Sequence, residues 1–449
     1  MKHQTRIILG GLMGNVVEAY DVSICYFLAS ELSRQLLGNQ QGHTSIVLGL
    51  IFLAYLAKPF GAFLLGLLSD LYGRKNILMA SILIMGVSTV LIGLIPGFQQ
   101  IGLYAAFLLL LLRIIQSMAL GSEFLNSVSF LVESGNDNQR GFRGCWSSVG
   151  VKAGYLVACA AVELTHWVGE SYFPNHEEWL WRIPFLLAAF TTLAGVYIRY
   201  SMPESLGYIK YYAERKKPDT QTIYRQANAF VKSNPFLFNY AFFVSFLSVA
   251  SGYFFYLYIP LHAMQYSALS HSLVIQSTML ALAFVTLLIP FFGWISDKVD
   301  RLKMLQLATL GLLVLAYPLM YAVNYGDARL LLFMQLLISI PCACYYSVYS
   351  VVLTELFPLQ IRCTALSIVF SIAASLASGL PPLLSDYLAR TTNLPSSPCL
   401  IMMALAGIVL VHIGLLAKRY RLDKNQYKLV LLNEGEVLFE LYYQKPLSS

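Results

Sequence analysis

Six ionisable residues stand inside stretches of this chain that are apolar enough to cross a bilayer: Glu18, Asp21, Glu123, Lys58, Arg113 and Lys152. A charge at a bilayer centre costs about 3 kcal/mol or more, so it faces a protein interior or a wet cavity and is read as functional by default. Asn15, Glu18 and Asp21 are three residues apart and share one helix face. Arg113, Gln116, Leu120 and Glu123 follow i, i+3, i+7, i+10, which also predicts one face. At 1.5 Å per residue, Lys152 lies about 13 Å along its helix from Arg143, and Lys58 about 18 Å from Asp70, so both are deep. An acid held away from a strong partner can take up and release a proton, because burial and neighbouring charge decide its state. Asp21 and Glu18 are the first candidates for that role and Glu123 the third. Arg113 can grip a carboxylate with a bidentate fork and Lys152 can do so as a point charge, with Gln116, Asn15 and Tyr20 as polar neighbours. Three acids and three bases balance when fully ionised, so a proton on one acid leaves a positive cavity that an anion can neutralise. The plainer alternative is that the six pair permanently and only hold helices together.

Aromatic residues form a second constellation. Tyr253 and Tyr256 share a face within a run that also holds Phe254, Phe255 and Tyr258, and Tyr345, Tyr346 and Tyr349 recur near residue 345. Rings facing a cavity bind a quaternary ammonium by cation–π attraction; rings facing lipid are filler. No phosphate loop, metal-binding helix motif, nucleophile elbow or catalytic triad occurs. The expectation is no cofactor, no metal and no enzyme. The seven cysteines form no CxxC pair and read as small apolar fillers.

The elements that must position these residues are legible from composition. The chain of 449 residues is 57% hydrophobic and 12% charged, with a mean hydropathy of +0.64. Soluble domains carry about 25% charged residues, so this is a membrane protein. Spans are predicted at 7–30, 45–68, 76–95, 102–132, 145–167, 181–199, 236–260, 272–295, 304–323, 329–353, 363–388 and 396–417. The first run lacks a small-residue cleavage site and holds two acids, so it reads as a helix rather than a signal peptide. The amino terminus, the loops leaving even-numbered spans and the tail hold 23 of the 30 lysines and arginines, which predicts both termini in the cytoplasm. That placement accounts for the net charge of +7 without nucleic acid. Trp167, Trp179 and Trp181 are then expected at the outer interface, with Trp146 and Trp294 near the inner one.

A repeat divides the spans six and six. Gly66-Leu-Leu-Ser-Asp70-Leu-Tyr-Gly-Arg74 follows the second span, and Gly293-Trp-Ile-Ser-Asp297-Lys-Val-Asp-Arg301 follows the eighth, with Gly, Ser, Asp and Arg in register. Glu133 and Arg140 close the fourth span at the same spacing as Glu355 and Arg362 close the tenth. Matching signatures at matching places indicate duplicated halves. The expected organisation is an amino-terminal bundle (1–200), a cytoplasmic linker (201–235), a carboxy-terminal bundle (236–417) and a tail (418–449) without heptads.

Gly66 to Lys75 resembles the loop signature of the major facilitator superfamily. More narrowly, the chain is similar to its metabolite:proton symporters, which include proline/betaine, 2-oxoglutarate, citrate and shikimate carriers. The likeness rests on Gly14-Asn-Val-Val-Glu18-Ala-Tyr20-Asp21, Lys58-Pro59-Phe-Gly61, Arg113-Ile-Ile-Gln116, Gly121-Ser-Glu123, Trp181-Arg-Ile-Pro-Phe185 and Glu355-Leu-Phe-Pro358 with Arg362. Ala19, Lys58 and Ser122 replace the usual Trp, Arg and Gly, and Lys152 lies outside the pattern. The resemblance implies an all-α membrane protein of twelve transmembrane helices in two six-helix bundles. It also implies that Asp70, Arg74, Glu133, Arg140, Asp297, Arg301, Glu355 and Arg362 latch the cytoplasmic ends. The expected function is proton-coupled symport of a small carboxylate-bearing metabolite through an inner (cytoplasmic) membrane, by a protein working as a monomer with substrate, protons and lipid as its partners. The alternatives are a zwitterionic osmolyte (betaine/proline) symporter, a polycarboxylate or siderophore carrier or exporter, and a nutrient sensor that does not transport.

Overall fold

Apolar stretches of this length can bury their backbone polar groups in a bilayer only as helices, where every amide is satisfied within the segment. The computed structural model describes residues 2–38, 44–72, 74–121, 123–134, 137–172, 177–200, 232, 234–267, 269–357, 362–392, 394, 396–423, 428–433 and 436–441. Twelve helices among them are long and apolar enough to cross a membrane: α1 (Ile8–Phe27), α2 (Ile46–Ser69), α3 (Lys75–Gly93), α4 (Tyr104–Glu133), α5 (Arg140–Gly169), α6 (Arg182–Tyr200), α7 (Pro235–Met264), α8 (Ser272–Ser296), α9 (Arg301–Tyr325), α10 (Ala328–Leu356), α11 (Thr364–Ala389) and α12 (Cys399–Ala417). They coincide with the predicted spans to within a few residues.

Two six-helix bundles result, and their packing repeats. In the first, α1 packs on α5 and α6, and α3 on α4 and α6. In the second, α7 packs on α11 and α12, and α9 on α10 and α12. Each pairing maps onto the other when six is added to the helix number, as the duplicated signatures imply. The halves meet along α5 with α8 and along α2 with α11, again a symmetric pair. Lipid tails are as apolar as leucine, so close packing rather than hydrophobic burial holds such helices together. The crossing of α2 and α4 shows it: a Cβ on Gly61 would lie 1.9 Å from the Met118 carbonyl oxygen, and one on Gly121 would lie 2.2 Å from the Ala62 amide nitrogen.

Three of the helices that carry site residues are interrupted. α2 consists of Thr44–Tyr55 and Lys58–Tyr72, with tight three-residue turns at Leu56 and Ala57; Pro59 has no amide proton to give the Tyr55 carbonyl. α4 consists of Tyr104–Ala119 and Glu123–Glu133. α7 contains a π turn at Phe254–Tyr258, directly before Pro260. Turns between membrane helices carry their own signals, such as the Asp300 and Asp327 caps and Gly326 at φ +77°.

The expected linker at 201–235 lies almost wholly outside the described residues. After α12, three short antiparallel strands, β1 (Tyr420–Asp423), β2 (Lys428–Asn433) and β3 (Glu436–Leu441), pair in that order in the tail. Trp167, Trp179 and Trp294 are exposed on the helix surface. Trp181 is a correction to the expected belt: it is buried against Phe185, with the Arg182 guanidinium 4.4 Å from its ring centroid.

Candidate functional site

At mid-height, between the bundles, the helix interruptions surround a cavity of about 80 Å³. Glu18, Lys58 and Lys152 are its charged walls. Tyr55 and Tyr155 from the first half and Tyr253, Tyr346, Tyr349 and Phe370 from the second are its main aromatic lining. The Lys58 ammonium lies 3.6 Å from a Glu18 carboxylate oxygen and 5.7 Å from the Phe370 ring centroid. Tyr55 and Tyr253 share a hydrogen bond of 3.1 Å between their hydroxyls, joining α2 to α7. Of the two tyrosines expected to face a ligand, Tyr253 lines the cavity and Tyr256 stands behind it, its hydroxyl hydrogen-bonded to that of Ser339 at 3.0 Å.

Lys152 has different company. Its ammonium lies 3.9 Å from the ring centroid of Tyr346, 4.9 Å from Tyr155 and 5.3 Å from Tyr256. Among the described residues no carboxylate comes within 4.0 Å of it. Its amino group is enclosed by ring faces and opens onto the cavity.

A second group lies behind Tyr55 and does not line the cavity. The Arg113 guanidinium stacks over the Tyr55 ring at 5.7 Å and donates to Gln116 at 2.6 Å; Gln116 donates to Thr89 at 2.6 Å. Asp21 is fully buried; no partner meets strict hydrogen-bond geometry at its carboxylate, which faces Thr89, Gln116 and Arg113. Arg113 and Gln116, expected to grip substrate, are therefore set back from the space a substrate would occupy. Asn15 is set back too: it donates to the Gly11 carbonyl at 2.7 Å and to Ser127 at 2.9 Å. Tyr20 donates to the Pro184 carbonyl at 2.7 Å, tying α1 to α6.

Glu123 corrects the expected shared face. The interruption of α4 at Leu120 and Gly121 turns it away from Arg113 and Gln116. It forms a fully buried ion pair with Arg199 of α6 and accepts from Ser81 at 2.8 Å. Gly14 makes the room, since a Cβ there would lie 1.8 Å from an Arg199 nitrogen. Arg199 stands at the last position of the predicted span 181–199, and its position opposite Glu123 in space is what distinguishes it from the neighbouring loop charges. With Arg199 included, four bases face three acids among the described residues of this region. Glu18 has Lys58, Glu123 has Arg199, and Asp21 lies nearest Arg113, so the balance assumed from six charges fails and Lys152 is the surplus.

The expected latch residues cluster at one end of the bundles. Arg301 pairs with Glu355 and, at 2.8 Å, with Asp297. Asp297 also accepts from the amides of Gly141 and Phe142 at 2.7 and 3.0 Å, capping α5 of the other half. Arg362 donates to Glu133 at 3.0 Å, again across the halves. Arg140 is buried beside them, and the side chains of Asp70 and Arg74 lie outside the described residues.

Comparison with known proteins agrees with this architecture. The chain resembles the ectoine/proline transporter ProP of Corynebacterium glutamicum, with 29% identity over 419 residues covering 90% of this chain and 82% of the relative. It resembles the proline/betaine transporter of Escherichia coli K12 with 28% identity over 416 residues, covering 90% and 82%. Among solved structures, the proton:xylose symporter XylE bound to 6-bromo-6-deoxy-D-glucose superposes with a TM-score of 0.73 at 16% identity, covering 92% of this chain and 95% of the other. The inward open form of XylE from E. coli gives 0.66 at 16% identity, covering 92% and 96%. The family model described as Major Facilitator Superfamily matches residues 12–325 and 242–441. With twelve membrane helices in two repeated bundles around a polar cavity, the chain belongs to the major facilitator superfamily and is a multi-pass membrane transporter of a small molecule rather than an enzyme.

Proposed function

We propose that this transporter couples protons to the movement of a small zwitterionic carboxylate. The observation that carries this reading is an unpaired cation, Lys152, and an acid, Glu18, facing one small cavity. The solute's carboxylate pairs with Lys152, and its positive end competes with Lys58 for Glu18, whose pair at 3.6 Å is loose. The cavity is compact, about 80 Å³. That suits a compact solute better than a siderophore. The names of the relatives point the same way, since proline, betaine and ectoine all carry a carboxylate and a positive nitrogen. Asp21 is the proton carrier in this reading, because among the three acids it alone forms no ion pair within 4.0 Å to a described residue, with Glu18 as the acid that senses substrate. Glu123 is a helix tie.

The latch contacts at one end and the Tyr55–Tyr253 contact within the cavity wall support alternating access, in which one bundle rocks against the other. Such contacts in both halves favour transport over a sensor. The rest of the reading is a bacterial cytoplasmic membrane, both termini inside, bundles at 1–200 and 236–417, and a working monomer.

Uptake into proteoliposomes under an inside-alkaline gradient tests the proposal. Proline is expected to accumulate and citrate not to. Lys152→Ala should raise KM at least tenfold, a loss of about 1.4 kcal/mol of binding. Asp21→Asn should abolish gradient-driven accumulation and preserve exchange of solute across the membrane. Uptake indifferent to the gradient, or equally fast for citrate, would overturn the reading.

A further inference from the structure

The three rings around Lys152 form a box, and its walls are built before any ligand arrives. Tyr346 of α10 shares a 2.9 Å hydrogen bond with Ser251 of α7, and Tyr256 of α7 one of 3.0 Å with Ser339 of α10. Ser148 of α5 donates to the Tyr346 carbonyl at 2.7 Å, fixing the stem of α5 against the same turn of α10. The fourth side is open because residue 252 is glycine: a Cβ there would lie 2.8 Å from the Lys152 ammonium. Rings at 3.9, 4.9 and 5.3 Å from a cation with no carboxylate beside it are the arrangement by which proteins recognise a methylated ammonium. Here the cation belongs to the protein.

We propose that Lys152 is a tethered ligand of this aromatic box. It fills a site that would otherwise take a quaternary ammonium, and so selects against solutes with a fixed methylated cation. This deepens the reading of the cavity as the substrate site and rests on it. The lysine reaches from the first half into rings supplied mainly by the second. With the box filled, a solute's positive end is left to Glu18, which rewards a nitrogen that still carries a proton to donate: a secondary ammonium satisfies the carboxylate with a hydrogen bond, a trimethylammonium cannot. Among zwitterions of the right size, the class favoured is therefore the cyclic or primary amino acid over the betaine.

The test is binding of tetramethylammonium chloride to the purified full-length carrier, read by calorimetry and by thermal stabilisation, with sodium chloride as the ionic-strength control. Wild type is expected to bind at least tenfold more weakly than Lys152→Ala, in which the box is vacated. Lys152→Met, which refills the box with an apolar chain, should bind no better than wild type. Adding Tyr346→Leu to Lys152→Ala should remove the gained binding. The proposal is overturned if wild type and Lys152→Ala bind alike, or if the Tyr346→Leu double variant keeps the binding. Wild type alone also decides: binding of tetramethylammonium that Tyr346→Leu abolishes would mean that the box is not filled by Lys152. Because no transport is measured, failure here leaves the carboxylate reading standing. That reading fails separately, if proline does not compete with other carboxylates for wild type.

Discussion

Arg199 alters the meaning of every other charge in the membrane interior. By taking Glu123, it turns a proposed proton residue into half of a fully buried pair. Removing one partner of such a pair leaves an uncompensated charge and costs about 3–5 kcal/mol, whereas apolar replacement of both is often near neutral. Arg199→Met is therefore expected to lower the thermal midpoint of the purified carrier steeply, and Glu123→Leu/Arg199→Met to recover most of the loss. The recovered double variant should still accumulate solute under a proton gradient. Loss of coupling in a stable double variant would return Glu123 to the proton path. At this scale the sequence showed which residues carry charge and roughly how deep they lie. It did not show their partners, because Glu123 and Arg199 are 76 positions apart and only the packing of α1, α3, α4 and α6 brings them together.

At the scale of elements, the interruptions of α2, α4 and α7 open the space that the charges face. Lys58-Pro59 announces the first, since proline removes an amide donor. The second has a subtler cause: Gly61 and Gly121 let the backbones of α2 and α4 touch, and α4 changes course at that crossing. Gly121→Ala adds one methyl where no room exists. Overpacking of this kind costs about 1–3 kcal/mol, and here it also pushes Lys58 and its helix away from Glu18. A lower thermal midpoint together with a raised KM is the expected outcome. A midpoint shift without any change in transport would separate the crossing from the site. The π turn of α7 had no counterpart in the sequence reading, because a one-residue insertion in a helical ladder leaves the apolar pattern nearly intact.

For the whole molecule, what matters is which end is closed. Glu133 with Arg362, and Asp297 with the first amides of α5, hold the two halves together at the signature-bearing end. The Glu133–Arg362 pair is nearly buried, so losing one partner costs more than it would at an exposed surface, and a shift of about 1.4 kcal/mol between two states changes their ratio tenfold. Glu133→Gln should therefore raise the population open at this end. Spin labels on the exposed residues Asn138 and Val299 would report it as a longer distance, with turnover reduced more than solute affinity. An unchanged distance distribution would show that the latch does not bias the equilibrium.

What the sequence determined by itself was whatever periodicity, composition and duplication can encode: twelve spans, two halves and the latch signatures. These depend on neighbours a few residues apart, or on a long apolar run that only a helix can satisfy in lipid. The tertiary structure alone decided which charges meet. It set Arg113, Gln116, Asn15 and Tyr20 behind the cavity, gave Glu123 to Arg199, and left Lys152 as a surplus cation among Tyr155, Tyr256 and Tyr346. Helix rotation and the breaks at the crossings set those pairings, and a turn of one residue moves a side chain about 100° around its axis.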